Sequence, residues 1–181
     1  MSVRQEVLDF WFSEAVRPLW FNATPEFDRE LEGRFRGLWE AAAGGGLDHW
    51  QETPEGALAL VIVLDQFPLN MFRGQPGSFS TEAAARQVAE AAIARGFDTA
   101  MAPERRIFLY LPFMHSELLA DQERSVALYD SAGHGDGPKW ARHHRDIVRR
   151  FGRFPHRNAI LGRESTAEEL AWLASDEAFT G

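Results

Sequence analysis

Proline set between a threonine and a glutamate, at Thr24-Pro25-Glu26 and again at Thr53-Pro54-Glu55, constrains this chain more than any other feature. Threonine before a helix accepts an orphan amide hydrogen bond, proline fits the first helical position because its missing N–H has no partner there, and glutamate complements the positive helix end. Each triplet therefore predicts a helix start. After the first, Phe27, Leu31, Phe35, Leu38 and Trp39 recur at helical spacing until Gly44-Gly45-Gly46 stops the run. After the second, residues 57–64 are apolar on every face, which suits a buried central helix. A buried strand is the rival reading of LALVIVL, and the proline start and the length of the run favour helix.

The same grammar continues along the chain. Ser2 and Gln5 read as a capping box ahead of Val3, Val7, Leu8, Phe10 and Trp11. Pro68 is expected to close the central helix, and residues 70–77 to form a loop. Ser80-Thr81-Glu82 caps an alanine-rich helix ending at Gly96. From Pro103 the pattern resumes through Ile107, Leu111, Met114 and Leu118, with Pro112 expected to kink or split the helix. Further helices are expected over 121–129 and 138–151, joined by a flexible connection at 133–137. Ser165 and Glu168 read as a capping box that opens a last helix with Leu170 and Leu173 inward. No period-2 alternation separates these segments. The reading is all-α, one single-domain array of about seven or eight helices in hairpins spanning residues 1–181.

Composition narrows the chemistry. A chain of 181 residues, 45% hydrophobic, can bury one core. It has no cysteine, which removes disulfides, thiolate nucleophiles and Cys-ligated metals. The N-terminus interleaves acids with its apolar residues, unlike a secretory signal, and no run reaches the roughly 18 apolar residues of a membrane span. A soluble cytoplasmic protein without membrane association is the expectation. The formal charge is −8, which argues against a general nucleic-acid binder.

Against that acidic background stands residues 139–163, with eight Lys and Arg side chains against the single Asp146. The segment is formally +7 and the remainder −15. Guanidinium forks suit carboxylate and phosphate, so these arginines either pair with the protein's own acids or hold an anionic ligand.

Three segments, LDQFPLNMFRG from Leu64, FLYLPFMHSELLADQ from Phe108 and HRDIVRRFGRFPHRNAILGREST from His144, resemble the signatures of an uncharacterised bacterial family, domain of unknown function 924. The VLDFWF start and the pairs Trp20-Phe21 and Phe27-Asp28 extend the resemblance over nearly the whole chain. It implies a superhelix similar to tetratricopeptide-repeat proteins, although no repeat of that consensus is visible, and it implies no activity. One departure is Leu69, where the family usually carries arginine.

On a helical wheel, Trp140, His144, Ile147, Val148 and Phe151 share one face, so His144 points inward, while His143 and Arg150 flank it. Arg142, Arg145 and Arg149 fall on the opposite, solvated face. If the helix continues past Pro112, His115 and Glu117 lie about 200° apart and cannot chelate one ion; neither a metal nor a cofactor is expected. Arg153, His156, Arg157 and Asn158 project from a rigid junction between Gly152 and Pro155. Either they seat an anion there, or Arg153 and Arg157 cap carbonyls and pair with Asp65 or Glu117.

The candidate set is therefore His115, Glu117 and His156 for acid–base work, with Asp65, Gln66, Asn70, Arg73, Gln122, Arg153, Arg157 and Asn158 for binding. A small anionic molecule or an acidic peptide terminus is the leading ligand class. The rival readings are an enzyme with His115 or His156 as general base, RNA stacking on the interleaved Arg and Phe residues, and an interaction module whose polar cluster is purely internal.

Overall fold

The computed structural model describes residues 2–133 and 135–178. Its regular structure among those residues is helical throughout, without a strand. The chain divides into two compact units, Met1–Arg73 with Gly77–Pro112 and Gly74–Pro76 with Phe113–Gly181.

The first unit begins with α1 (Val3–Trp11), where Ser2 accepts the Gln5 amide, and α2 (Pro25–Ala43), where Thr24 caps Phe27. Thr53 caps α3 (Pro54–Val61) through the Gly56 amide. That position excludes any larger residue, because a Cβ on Gly56 would lie 2.0 Å from the Trp50 carbonyl oxygen.

Pro68 does not close the central helix as expected. The chain passes through one π-helical segment, Ile62–Gln66, and continues as α4 (Phe67–Met71), with the Phe67 amide bonded back to Ile62. Proline removes a donor and crowds the carbonyl four residues earlier, that of Leu64; a widened turn relieves the crowding. The stranded Leu64 carbonyl receives the Thr81 hydroxyl at 2.5 Å. Thr81 consequently makes no cap of its own at α5 (Glu82–Ala94), contrary to the capping expectation.

The final helix of this unit, α6 (Pro103–Met114), runs unbroken through Pro112 and passes its last two residues to the second unit. Trp11, Phe67 and Phe108, all fully buried, anchor an aromatic core. Ring centroids stand 4.9 Å apart for Phe35 and Phe67 and 4.8 Å for Trp20 and Phe108.

The second unit holds the helical hairpin α7 (Leu119–Ala132) and α8 (Gly137–Phe151) and the short α9 (Ala167–Leu173). His134, within the expected 133–137 connection, lies outside the described residues. Gly152 ends α8 in the left-handed region at φ 71°. His144 points inward as expected, buried along α8 together with Ala141, Ile147 and Val148, whereas Trp140 is 42% exposed.

Arg142, Arg145 and Arg149 are not merely solvated charge: they meet α7 carboxylates, Arg142 at Asp130 and the other two at Glu123. The last capping box is one residue later than expected, Thr166 with Glu169. That shift turns Glu169 and Trp172 inward and leaves Leu170 57% exposed.

Candidate functional site

In the first unit, four of the sequence-derived residues form a local polar chain along the π segment and α4. The Gln66 amide donates to Asp65 at 2.6 Å, and the Asn70 amide donates to the Gln66 carbonyl at 2.9 Å. Arg73 donates to Asn70 Oδ1 at 3.0 Å and grips Asp28 on α2 with Nε at 2.7 Å and Nη2 at 3.1 Å. Asp65, Gln66 and Asn70 are buried, while the Arg73 side chain is 52% exposed. Bonding to Asp28 raises the Arg73 pKa despite partial burial. The sequence did not single out Asp28 as its partner.

The second unit gathers most of the rest. His115, Ser116 and Glu117 lie beyond the end of α6, in the irregular link to α7, so the wheel geometry that set His115 and Glu117 on opposite faces does not apply. Glu117 accepts the Phe154 backbone N–H at 2.8 Å and both Nη groups of Arg163, at 2.7 and 2.8 Å. Burial opposes its charge, but the Arg163 fork and the Phe154 amide outweigh it and hold the carboxyl below its usual range.

Arg163 extends the chain of contacts by donating Nε to Asn158 Oδ1 at 3.0 Å. Asn158 in turn donates to Ser165 Oγ at 3.0 Å and to Glu169 Oε2 at 3.2 Å. Glu169, 2% exposed, takes a two-pronged contact from Arg153 at 2.7 and 2.9 Å and also accepts the Thr166 amide. The Arg153 bonds come first in lowering the Glu169 carboxyl to about 2. Arg153 therefore pairs with Glu169 rather than with Asp65 or Glu117. The arrangement runs Glu117, Arg163, Asn158, Glu169, Arg153, with both charge pairs in the bidentate form that is strongest for guanidinium and carboxylate.

Gln122 serves the same end. Its amide donates to the carbonyls of Met114 at 2.7 Å and Ser116 at 2.6 Å, which caps the C-terminal end of α6. Ser116 donates to Asp121 at 2.6 Å and accepts the Leu118 amide.

Arg157 is buried, with its guanidinium 4.8 Å from the centre of the Phe154 ring. The same ring meets His144 edge-on at 5.7 Å and His156 at 5.5 Å. Burial drives both imidazoles toward the neutral form, His144 to about 3 and His156 to about 4. Among the described residues no three His, Asp or Glu side chains group closely enough to hold a metal ion. No helix among them is long and apolar enough to cross a membrane.

Two members escaped sequence reasoning. Glu169 was hidden by the one-residue error in the capping box, since the true box places it at the position whose side chain turns back. Arg163 stood at the end of the basic segment with no helical register to aim it.

The model of the family described as bacterial protein of unknown function (DUF924) matches residues 7–177, and the chain belongs to that family. It is similar to the solved structure of the protein of unknown function ATU0120 from Agrobacterium tumefaciens, with 45% identity and a TM-score of 0.91 over 95% of this chain and 97% of that one. No curated protein matches the chain.

Proposed function

We propose that this member of the DUF924 family is a helical interaction module whose motif arginines and carboxylates brace the second unit from within. One observation carries the reading: the forks of Arg153 and Arg163 are each engaged by a native carboxylate, Glu169 and Glu117. A foreign anion would have to displace a carboxylate already held by two short charge-assisted bonds, one of them 2% exposed. The superhelix implied by the family resemblance suits such a role, since stacked helical hairpins offer extended faces to partners.

The small-anion reading retains one specific support, the half-exposed Arg73 beside the buried amides of Asn70 and Gln66. A general-base role for His115 or His156 oriented by Glu117 has less, because the Glu117 oxygens are taken by Arg163 and Phe154.

Thermal unfolding of the full chain separates these readings. For the interaction module, Arg153→Ala lowers Tm, and neither inorganic phosphate nor a glutamate-terminated peptide moves the wild-type Tm beyond an ionic-strength control. A Tm that climbs by several degrees with either probe, and does so through Arg73 or Arg153, would overturn the reading in favour of anion recognition.

A further inference from the structure

Away from the brace, the second unit holds a cleft of about 230 Å³ bounded by α8, by α9 and by the residues after it. Its floor is apolar: Ile147 and Trp172 are buried, and the Phe151 ring stands 5.5 Å from the Trp172 ring, tilted by 57°. Neither the Arg153–Glu169 pair nor the Glu117–Arg163 pair lines it. The cleft and the brace can therefore be filled or broken separately. At about 30 Å³ for each water-sized group, the space takes about seven of them, below the roughly 300 Å³ at which drug-sized pockets begin. Such a volume suits a short chain with one polar head.

The walls say what charge that head should carry. Asp146 and Glu177 stand there with Arg150 and His143. Arg150 is already answered, since its Nε donates to Glu168 at 2.8 Å and its guanidinium lies 4.8 Å from the centre of the Phe151 ring. Asp146 likewise accepts from Arg145 Nε at 2.8 Å. Glu177 bonds Ser175 Oγ through its backbone N–H, and among the described residues no cation meets its carboxylate. With the two pairs cancelling, the charge left over at the mouth is negative. The floor agrees with the mouth: aromatic faces attract cations through their quadrupole, as the Arg150 guanidinium over Phe151 illustrates.

We propose that this cleft binds a short-chain primary amine, with its alkyl stem on Ile147 and Trp172 and its ammonium turned out to Glu177 and Asp146. The stem removes apolar surface from water while the charged head keeps its hydration. An ammonium offers three donors and no acceptor, which matches a mouth whose available groups are carboxylate oxygens. A carboxylic acid of the same length would meet Glu177 with like charge, and the neutral alcohol would gain the floor without the mouth. Exposed ion pairs and cation–π contacts are individually modest, so a Kd on the order of a few millimolar is expected.

A heteronuclear NMR titration of the full chain with n-butylammonium tests this, with 1-butanol and butyrate as matched controls at constant ionic strength. The amine is expected to shift the Trp172 indole N–H and the Ile147 and Phe151 amides along a saturating curve, while the Trp50 indole in the first unit stays in place. Glu177→Gln, which keeps the shape, should weaken binding about threefold, and Glu177→Lys, which puts a cation at the mouth, should abolish it. Shifts of equal size from butanol or butyrate, binding undiminished in Glu177→Lys, or no shift with the amine at tens of millimolar would each overturn the proposal.

Discussion

The two units solve the same problem, ordering a short helical chain, by opposite means. The first buries rings: Trp11, Phe67 and Phe108 are fully enclosed and Phe10, Phe27 and Phe35 pack around them. The second has a small apolar cluster, Ile147, Val148, Phe154 and Trp172, and braces its irregular segments with charge. Between Gly152 and Thr166 its chain has no long helix to satisfy backbone groups, so side chains do it, as Arg153 does for the Glu164 carbonyl and Glu117 for the Phe154 amide. An apolar core is stabilising over a wide range of pH and salt, whereas a polar brace depends on protonation and on every partner being present. The contrast predicts two different ways of failing.

The sharpest break of the first kind is Phe67→Ala. Phe67 is wholly buried against Phe35 and Trp11, and truncating such a ring costs about 3–5 kcal/mol through lost transfer energy and the residual cavity. Denaturant unfolding of the full chain should show that loss with little dependence on pH. A loss that grows steeply toward acid would erase the distinction between the units.

The matching break in the second unit is Glu169→Gln. The amide keeps the shape but leaves Arg153 without its counter-charge, and breaking a buried pair costs about 3–5 kcal/mol. Because the Arg153 side chain is 27% exposed, water recovers part of this, and about 2–3 kcal/mol is expected. The variant should also flatten the acid limb of the stability curve. Wild-type Glu169 is held at about 2, well below an unfolded carboxyl near 4.5, so the unfolded chain takes up its proton first. The contribution is therefore complete above the unfolded value and is lost as pH falls from about 5 toward 2. Comparing wild type and variant by denaturation at pH 7, 4 and 3 measures it; parallel curves would contradict the assignment.

Why was the first unit so much more legible in sequence than the second? Thr24, Thr53 and Ser2 each cap the helix they were expected to cap, because a cap is a contact within one turn and sequence carries it locally. The inward turn of His144 was equally readable from helical period. What could not be read depends on contacts between distant residues. Thr81 looked like a cap, yet its hydroxyl answers the Leu64 carbonyl seventeen residues away. Glu117 and Arg163 are separated by 46 residues, and no periodic signal links an irregular turn to an irregular loop. The basic segment announced a surplus of guanidinium, and only the fold could say that the nearest carboxylates belong to the chain itself.

Thr81→Val tests a place where the first unit depends on a side-chain polar contact in its interior. The swap keeps the shape but leaves the Leu64 carbonyl beneath Pro68 without its donor, and it also removes the acceptor of the Trp39 indole at 3.2 Å. Leaving a buried acceptor unmade costs about 1–3 kcal/mol. The expected loss is about 1–2 kcal/mol, smaller than that of Phe67→Ala and insensitive to pH. A neutral outcome would mean that the widened turn accommodates Pro68 without help.

The smallest effect should come from the ion pairs that look most numerous. Arg142 meets Asp130 at 2.7 Å across the α7–α8 hairpin, but both side chains are more than two-fifths exposed. Pairs in water trade Coulomb attraction against desolvation and side-chain ordering, and salt screens the rest. Arg142→Gln should therefore change stability by less than about 0.5 kcal/mol, with the difference fading further in molar salt. Glu169 and Arg153 make the informative contrast, since they too are a short guanidinium–carboxylate pair, but Glu169 is buried and also accepts bonds from Thr166 and Asn158. If Arg142→Gln costs as much as Glu169→Gln, burial is not what gives the brace its strength, and the second unit is held by its total charge rather than by the few pairs enclosed around Asn158.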